Sequence, residues 1–188
     1  MSKKPEIIVF AGPNGSGKSS ITIQARILQP YINADDIKRE KGCTDLEAAE
    51  EADRLRFAAI DEKRDFSFET VLSTHRKIEM LERAKKRGYF IRCVYVLTDD
   101  PQVNIMRVAV RVESGGHNVE KRKIVQRYHR CMELVPEVFW LSNVFYLYDN
   151  TERPERIAMK KRDQLFLYGN DFWSEDRILN LLNLIVKK

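Results

Sequence analysis

The stretch that most constrains the fold is residues 7–20, where a short apolar run passes directly into a glycine-rich segment. Gly12, Gly17, Lys18 and Ser19 fit the pattern G-x-x-x-x-G-K-[ST] without a mismatch. Glycines in this pattern let backbone N–H groups turn toward a polyphosphate, and the following helix points its N-terminus at the same phosphates. The sequence therefore predicts a buried strand, a phosphate-binding loop and a helix in this order.

The phosphate loop assigns chemistry to its side chains. We expect Lys18 to bridge the β- and γ-phosphates of a nucleotide and the Ser19 hydroxyl to ligate Mg²⁺. Ile7 to Phe10 are predicted as the strand and Ile21 to Leu28 as the helix. No N-K-x-D motif for guanine is present, so the expected nucleotide is ATP. The predicted nucleotide-binding residues are Gly12, Pro13, Asn14, Gly15, Ser16, Gly17, Lys18, Ser19 and Ser20.

The composition is that of a soluble globular protein, and 188 residues suggest a single domain spanning 1–188. No apolar run approaches the roughly 20 residues of a membrane helix, so we expect no membrane partner and a cytoplasmic location. The three cysteines lack metal-site spacing and are expected to be reduced thiols. The formal charge of +5 suits anionic nucleotide ligands. Without a recognisable nucleic-acid-binding signature, a nucleic acid partner is not expected.

Apolar strands alternate with helical patterns almost to the end of the chain. This alternation predicts an α/β fold, a parallel sheet covered by helices on both faces. We interpret residues 151–188 as a small β-hairpin and a helix added at the edge of the sheet. The other predicted elements, in order, are strand Tyr31–Asp36, helix Thr44–Lys63 opened by a capping box, strand Phe66–Leu72, helix Arg76–Arg87, strand Tyr89–Leu97, two helical segments within 101–136, strand Val144–Tyr148, hairpin strands Ile157–Lys160 and Gln164–Tyr168, and helix Glu175–Val186.

Residues 101–136 have the features of a lid. Two helical segments carry arginines and are separated by residues 113–118, in which Gly115 and Gly116 can absorb large backbone changes. An arginine that stabilises a transferring phosphoryl group can contribute about 10³-fold or more in rate. The candidates are Arg107, Arg111 and Arg127, with His117 as a hinge or substrate contact and His75 and His129 as structural residues.

Carboxylates follow two of the predicted strands. Asp35 and Asp36 come after the second strand, and Glu69 lies within the third. Ligands in such folds bind outside the carboxyl ends of the strands, where one carboxylate can accept a proton and another can hold Mg²⁺. Helix capping is the alternative for Asp35 or Asp36. An unpartnered carboxylate in an apolar strand is costly, so Glu69 is predicted to contact metal or substrate.

A second apolar strand ends in an acidic residue, Asp149. That pattern holds Mg²⁺ in many ATPases, but here it follows the lid and no Glu comes after the Asp. We therefore interpret Asp149 and Asn150 as a turn beside the adenine.

Five segments together resemble the zeta toxin family of P-loop kinases, over about residues 6–150. They are Ala-Gly-Pro-Asn-Gly-Ser-Gly-Lys-Ser (11–19), Ile-Asn-Ala-Asp-Asp (32–36), Phe-Glu-Thr-Val-Leu-Ser (68–73), Arg-Val-x-x-Arg-Val-x-x-Gly-Gly-His (107–117) and Tyr-Asp-Asn (148–150). The resemblance implies a kinase that uses ATP and Mg²⁺; the studied members phosphorylate the sugar 3′-hydroxyl of UDP-N-acetylglucosamine. It also implies a protein antitoxin as a partner to look for.

The resemblance carries roles onto individual residues. It implies that Asp35 is the general base, Lys18 and Ser19 the phosphate and metal contacts, Glu69 the substrate-side carboxylate and Arg111 a lid arginine. The Gly-Gly-His segment stands where the second lid arginine would be sought, which leaves Arg127 as a displaced candidate. The loop after Glu69 reads Thr-Val-Leu-Ser rather than the glycine-rich turn of the studied toxins.

The sequence leads to the hypothesis that the protein is an ATP- and Mg²⁺-dependent kinase that acts on a hydroxyl of a small anionic metabolite. The alternatives are another acceptor, such as a nucleoside, an antibiotic or a polynucleotide 5′-end, and a non-enzymatic ATP-binding regulator. The predicted catalytic residues are Asp35, Lys18, Arg111 and Arg127; the predicted substrate contacts are Asp35, Glu69, Thr70, Arg107 and His117; the predicted metal contacts are Ser19 and Glu69.

Overall fold

Five parallel strands form the centre of the fold, and two antiparallel strands extend the sheet at one edge. The computed structural model describes residues 3–184. The strands are β1 (Glu6–Ala11), β2 (Tyr31–Ile32), β3 (Phe66–Thr70), β4 (Phe90–Leu97), β5 (Val144–Asp149), β6 (Glu155–Lys161) and β7 (Gln164–Leu167), in the sheet order β2-β3-β1-β4-β5-β6-β7. The helices are α1 (Lys18–Thr22), α2 (Ala34–Lys41), α3 (Asp45–Asp61), α4 (His75–Lys86), α5 (Pro101–Glu113), α6 (Lys121–Leu141) and α7 (Glu175–Leu181).

Strand β1 lies in the middle of the sheet, between β3 and β4. Ile7 and Val9 point to one face and Ile8 and Phe10 to the other, and none of the four is more than 1% exposed. A strand buried on both faces reads as a continuous apolar run, as expected of parallel sheets. The predicted parallel α/β fold with a C-terminal hairpin is confirmed.

The two faces of the sheet are covered unequally. The large core lies on the face of Ile7 and Val9, where α3, α4, α6 and α7 pack. The opposite face, with Ile8 and Phe10, is covered by α1 and by the segment that leads to Leu28. Most of the apolar burial that stabilises the fold therefore lies on one side of the sheet.

Two predicted boundaries near the phosphate loop are wrong. Helix α1 ends at Thr22, not at Leu28: the amides of Gln24 and Ala25 donate to carbonyls three residues earlier instead of four. The Leu28 amide donates to the Ser67 hydroxyl (2.6 Å). Strand β2 ends at Ile32, because the Asn33 side chain accepts a hydrogen bond from the Asp35 amide and begins α2. Asp35 therefore lies in the first turn of a helix rather than at the end of a strand.

Helix α2 was not predicted, and α6 runs through Pro136 to Leu141 instead of ending at about residue 136; most other boundaries agree within a few residues. The predicted capping box of Thr44 and Glu47 opens α3. Helix α7 ends at Leu181, before the predicted end at Val186, and residues 185–188 lie outside the described part of the chain. Within residues 3–184, none of the helices has the length and apolar character needed to cross a bilayer.

Candidate active site

A cleft of about 530 Å³ opens beside the phosphate loop, at the C-terminal ends of the first three strands. Its walls come from the phosphate loop, the start of α2, the end of β3 and both lid helices. The predicted site residues that line it are Asn14, Gly15, Gly17, Lys18, Ser19, Asp35, Glu69, Thr70, Arg107, Arg111, His117 and Arg127. Of the other predicted nucleotide contacts, Gly12, Pro13 and Ser16 are buried in the loop, and Ser20 lines a different cavity next to Tyr148.

The ammonium group of Lys18 is folded back against the loop that carries it. Its Nζ donates to the carbonyls of Gly12 (2.9 Å) and Pro13 (3.1 Å) and lies 3.9 Å from Glu69 Oε1. Burial lowers the pKa of Lys18, and the negative charge of Glu69 opposes that shift. The loop thus holds a buried cation at the cleft, where phosphate oxygens can replace the carbonyls as its partners.

Three side chains from distant parts of the chain brace the phosphate loop. Asn104 Nδ2 donates to the Asn14 carbonyl (2.6 Å), and Arg127 Nη1 donates to Asn14 Oδ1 (3.2 Å). Asn150 Nδ2 donates to the Ser16 carbonyl (2.8 Å). Sequence reasoning missed Asn104; the signal was an amide on the buried, otherwise apolar face of α5.

Gly17 and Ser16 differ in how they relate to the cleft. Gly17 has φ +84°, in the left-handed region that favours glycine, and a Cβ there would lie 2.1 Å from Asn150 Nδ2, so a side chain at this position would displace the Asn150 amide. Ser16 Oγ is buried and has no hydrogen-bond partner among residues 3–184, although buried hydroxyls are normally paired. The left-handed backbone at Gly17 is the conformation that a glycine of a phosphate-binding loop adopts, whereas the Ser16 hydroxyl does not line the cleft.

The adjacent carboxylates of α2 have different surroundings. Asp36 pairs with Arg39 at 2.6 Å. Asp35 is exposed and lines the cleft, and no ion pair within residues 3–184 involves it. Asn33 caps the helix, so neither aspartate does so with its side chain. Asp35 is thus the carboxylate of the pair that is available to a substrate.

Glu69 faces Lys18 on one side and a tyrosine on the other. The Tyr31 hydroxyl donates to Glu69 Oε2 at 3.1 Å. Burial raises the pKa of Tyr31, and the neighbouring Glu69 carboxylate raises it further. The sequence alone did not indicate Tyr31 as a site residue, because an aromatic residue at the start of a strand is expected to pack in the core.

The Gly-Gly-His segment ends α5 and positions a lid arginine. Gly115, at φ +82°, and Gly116 donate their amides to the carbonyls of Val112 (2.9 Å) and Arg111 (2.9 Å), which is a Schellman motif. Arg111 Nη2 in turn donates to the His117 carbonyl (2.8 Å), and His117 Nε2 lies 3.8 Å from Asp45. The glycine pair is therefore a helix terminator that folds the loop against Arg111; the hinge stays a prediction.

Arg107 lines the cleft beside the segment that follows β5. Its guanidinium donates to the carbonyls of Asn150 (2.6 Å) and Thr151 (3.0 Å), next to the residue that braces Ser16. The sequence hypothesis placed Arg107 with the substrate contacts. Both guanidinium contacts go to the segment after β5, and Arg107 lines the cleft, so its role as a substrate contact stays a prediction.

The donor set also suits a hard cation. The Ser19 hydroxyl is exposed to the cleft, which Glu69 lines as well, and Mg²⁺ prefers a few protein oxygens completed by phosphate and water. Residues 3–184 contain no group of three or more histidine, cysteine or acidic side chains that could hold a metal alone. A magnesium site here would therefore depend on the nucleotide.

Comparison with known proteins gives both a family and a fold. Residues 26–171 match the zeta toxin family, and because that range begins after the phosphate loop, the match is independent of the loop motif. An uncharacterized protein of Haemophilus influenzae is 29% identical over 127 residues, covering 64% of this chain and 91% of that protein.

Two sets of solved structures share the fold. The crystal structure of AvrRxo1-ORF1:AvrRxo1-ORF2 with sulphate ions superposes with a TM-score of 0.73 at 12% identity, over 98% of this chain and 65% of that chain. The structure of the same complex with ATP superposes with a TM-score of 0.68 at 13% identity, over 87% of this chain and 60% of that chain. A structure of the PezAT chromosomal toxin-antitoxin system of Streptococcus pneumoniae superposes with a TM-score of 0.60 at 18% identity, over 100% of this chain and 82% of that chain.

This chain spans less than two thirds of the AvrRxo1 chain that it matches. At these identities the structural likeness establishes the fold, and the family rests on the match over most of the sequence. That match, on a parallel sheet whose first strand leads into a phosphate loop, places the chain in the zeta toxin family.

Proposed function

We propose that the protein is a kinase that transfers the γ-phosphate of ATP to a hydroxyl group of a small anionic metabolite. The observation that carries the proposal is that Lys18 of the phosphate loop, the unpaired carboxylate Asp35 and the arginines Arg111 and Arg127 line one cleft. Phosphoryl transfer needs little covalent help from the protein, and its catalysis rests on such positioning and charge stabilisation.

Asp35 is the proposed general base. The acceptor oxygen attacks the γ-phosphorus, the bond from that phosphorus to the β–γ bridging oxygen breaks, and the hydroxyl proton passes to the Asp35 carboxylate. ADP leaves with the bridging oxygen. General base catalysis of this kind contributes about 10²- to 10⁴-fold.

The cations of the cleft hold the phosphates. Lys18 exchanges its contacts to the Gly12 and Pro13 carbonyls for phosphate oxygens, while Arg111 and Arg127 approach from the lid side. Ser19 and Glu69 would hold Mg²⁺, which would neutralise phosphate charge when bound. The Tyr31 hydroxyl orients the Glu69 carboxylate by donating a hydrogen bond to its Oε2 atom.

The family favours a sugar nucleotide as the acceptor, and UDP-N-acetylglucosamine is the first compound to test. The protein would be incubated with ATP, Mg²⁺ and this compound, and the products analysed by mass spectrometry, with Lys18→Ala as the blank. A phosphate added only by the unmutated protein would support both the kinase reaction and the substrate. ATP hydrolysis without sugar phosphorylation would reject this acceptor, and absence of any ATP binding would reject the kinase.

A protein antitoxin is the proposed partner. The PezAT relative belongs to a chromosomal toxin-antitoxin system, and membership of the family extends that expectation to this chain. The test is growth of a bacterial host that expresses the protein, compared with the same host expressing Asp35→Asn. Arrest that requires Asp35 would show the toxic activity that an antitoxin has to neutralise, and equal growth of the two would contradict the need for an antitoxin.

A further inference from the structure

The acceptor end of the cleft contains a cluster of buried charges that the kinase mechanism does not use. The carboxylate of Asp53 accepts from Arg56 Nη1 (3.0 Å) and from Lys77, and lies 2.9 Å from Arg76 Nε. Asp53 and Arg56 are 5% and 3% exposed. Within residues 3–184 no other ion pair involves these cations, so one carboxylate faces three positive charges; Arg56 and Lys77 are largely buried, with side chains 3% and 17% exposed, whereas Arg76 is 63% exposed.

Arg56 joins this cluster to the catalytic strands. Its Nη2 donates to the carbonyls of Ile32 (3.1 Å) and Glu69 (3.2 Å), at the ends of β2 and β3. Its Nε is buried and has no partner among residues 3–184. A buried guanidinium donor without an acceptor is costly, and Arg56 lines the cleft.

Helix α4 begins beside these residues and is poorly capped. The Thr74 side chain makes no cap hydrogen bond, and the first turn contains no acidic residue. Ser73, Thr74 and Lys77 all line the cleft. The start of a helix favours negative charge through its free N–H groups and its dipole, and Lys77 adds a cation in the first turn.

We propose that the start of α4, Lys77 and Arg56 form an anion subsite that binds a phosphate or carboxylate group of the acceptor. Lys77 is the direct contact, because an ammonium has three donors and Asp53 occupies one of them. Asp53 holds Lys77 in place, and Arg56 in turn donates to the Asp53 carboxylate. Burial lowers the pKa of Lys77 and its hydrogen bond to Asp53 opposes that shift, and a bound anion would compensate the buried positive charge further.

The subsite deepens the proposed kinase function, since it gives the acceptor a fixed orientation with its anionic group at α4. Binding at one end of the cleft leaves a hydroxyl free to reach Asp35, which lines the same cleft. A neutral acceptor would leave the Asp53 cluster with its excess of positive charge. The acceptor class is therefore a hydroxyl compound that already carries a phosphate or a carboxylate.

The test is isothermal titration calorimetry of the protein in a buffer that contains Mg²⁺. A non-hydrolysable ATP analogue is present at saturating concentration, so that the phosphate loop is already occupied. Phenyl phosphate and benzoate are the probes, and they distinguish the two anions. We expect one of them to bind, Lys77→Gln to weaken that binding at least about tenfold, and Lys77→Arg to retain most of it. Lys86→Gln, an exposed residue of the same helix, is the matched control and should bind as the unmutated protein does.

Thermal unfolding of each variant separates a lost contact from a lost fold. Binding that is equal in Lys77→Gln and Lys86→Gln, or absent for both probes, would overturn the subsite. The titration is repeated in Lys18→Ala without nucleotide, where the phosphate loop cannot hold the probe through its lysine. A subsite that binds there stands even if the protein fails to phosphorylate any acceptor, so the two proposals fail separately.

Discussion

Asn150, at the end of the fifth strand, donates a 2.8 Å hydrogen bond to the carbonyl of Ser16, 134 residues earlier in the chain. The same amide lies where a side chain on Gly17 would have to be. The turn after β5 therefore shapes the phosphate loop from outside it.

Asn150→Ala is expected to weaken ATP binding about tenfold and to reduce the free energy of unfolding by about 1–3 kcal/mol, because the Ser16 carbonyl loses its partner. The measurements are nucleotide titration calorimetry and denaturant unfolding. Asn180→Ala, an exposed amide on α7, is the control. Unchanged ATP affinity in a folded Asn150→Ala protein would show that the brace does not matter for binding.

Asp35→Asn is expected to reduce phosphoryl transfer about 10²- to 10⁴-fold with little change in ATP affinity, because the amide cannot accept the proton. Asp36→Asn is the control on the same helix, since its carboxylate pairs with Arg39 and stays outside the cleft. Initial rates with any accepted substrate compare the two. Equal rates for both variants would remove Asp35 from the mechanism.

Gly116→Ala is expected to displace Arg111, since the new Cβ would lie 2.6 Å from Arg111 Cγ and 2.8 Å from its carbonyl. We expect about a tenfold lower turnover with ATP affinity preserved. Arg111→Ala and the double variant complete a mutant cycle. If Gly116 acts through Arg111, the double variant is no slower than Arg111→Ala alone; additive losses would contradict this.

Cys131 is expected to resist alkylation in the native protein. Burial raises the pKa of its thiol to about 12 and the side chain is 0% exposed, so almost no thiolate is present at pH 8. Cys43 is only partly buried and should react first with iodoacetamide, as mass spectrometry of the modified peptides would show. Urea-unfolded protein is the positive control, and equal labelling of Cys43 and Cys131 in native protein would refute the expectation.

The same raised pKa gives a pH dependence. Above the ordinary pKa of a thiol the unfolded chain releases the Cys131 proton while the native protein retains it. The free energy of unfolding should therefore fall as the pH rises through this range. Denaturant unfolding of Cys131→Ser, compared with the unmutated protein at neutral and alkaline pH, would isolate this contribution; equal slopes would contradict it.

What the sequence could predict depended on local rules. The phosphate loop follows from glycines and a lysine at fixed spacing, the start of α3 from its capping box, and the alternation of strands and helices from hydrophobic patterning. The end of α5 was also readable, since glycine after a helix commonly forms a Schellman motif. The glycine pair therefore ends the helix, and its role as a hinge stays a prediction.

What the sequence could not give were contacts between distant segments. Asp53 and Arg56 occur in a charged stretch that is typical of a solvated helix face, yet both are buried. Tyr31 and Asn104 carry functional hydrogen bonds from positions that read as core. Only the order of the strands brings these side chains to the phosphate loop and β3, and that order is not encoded in any local pattern.

Asn14 accepts hydrogen bonds from residues 104 and 127, so the geometry of the phosphate loop depends on side chains far along the chain. A fragment that ends after β4 would contain the whole motif and lack every side chain that braces it. Nucleotide binding should then report the folding of nearly the entire chain: truncation or a destabilising change far from the cleft would lower ATP affinity and stability together.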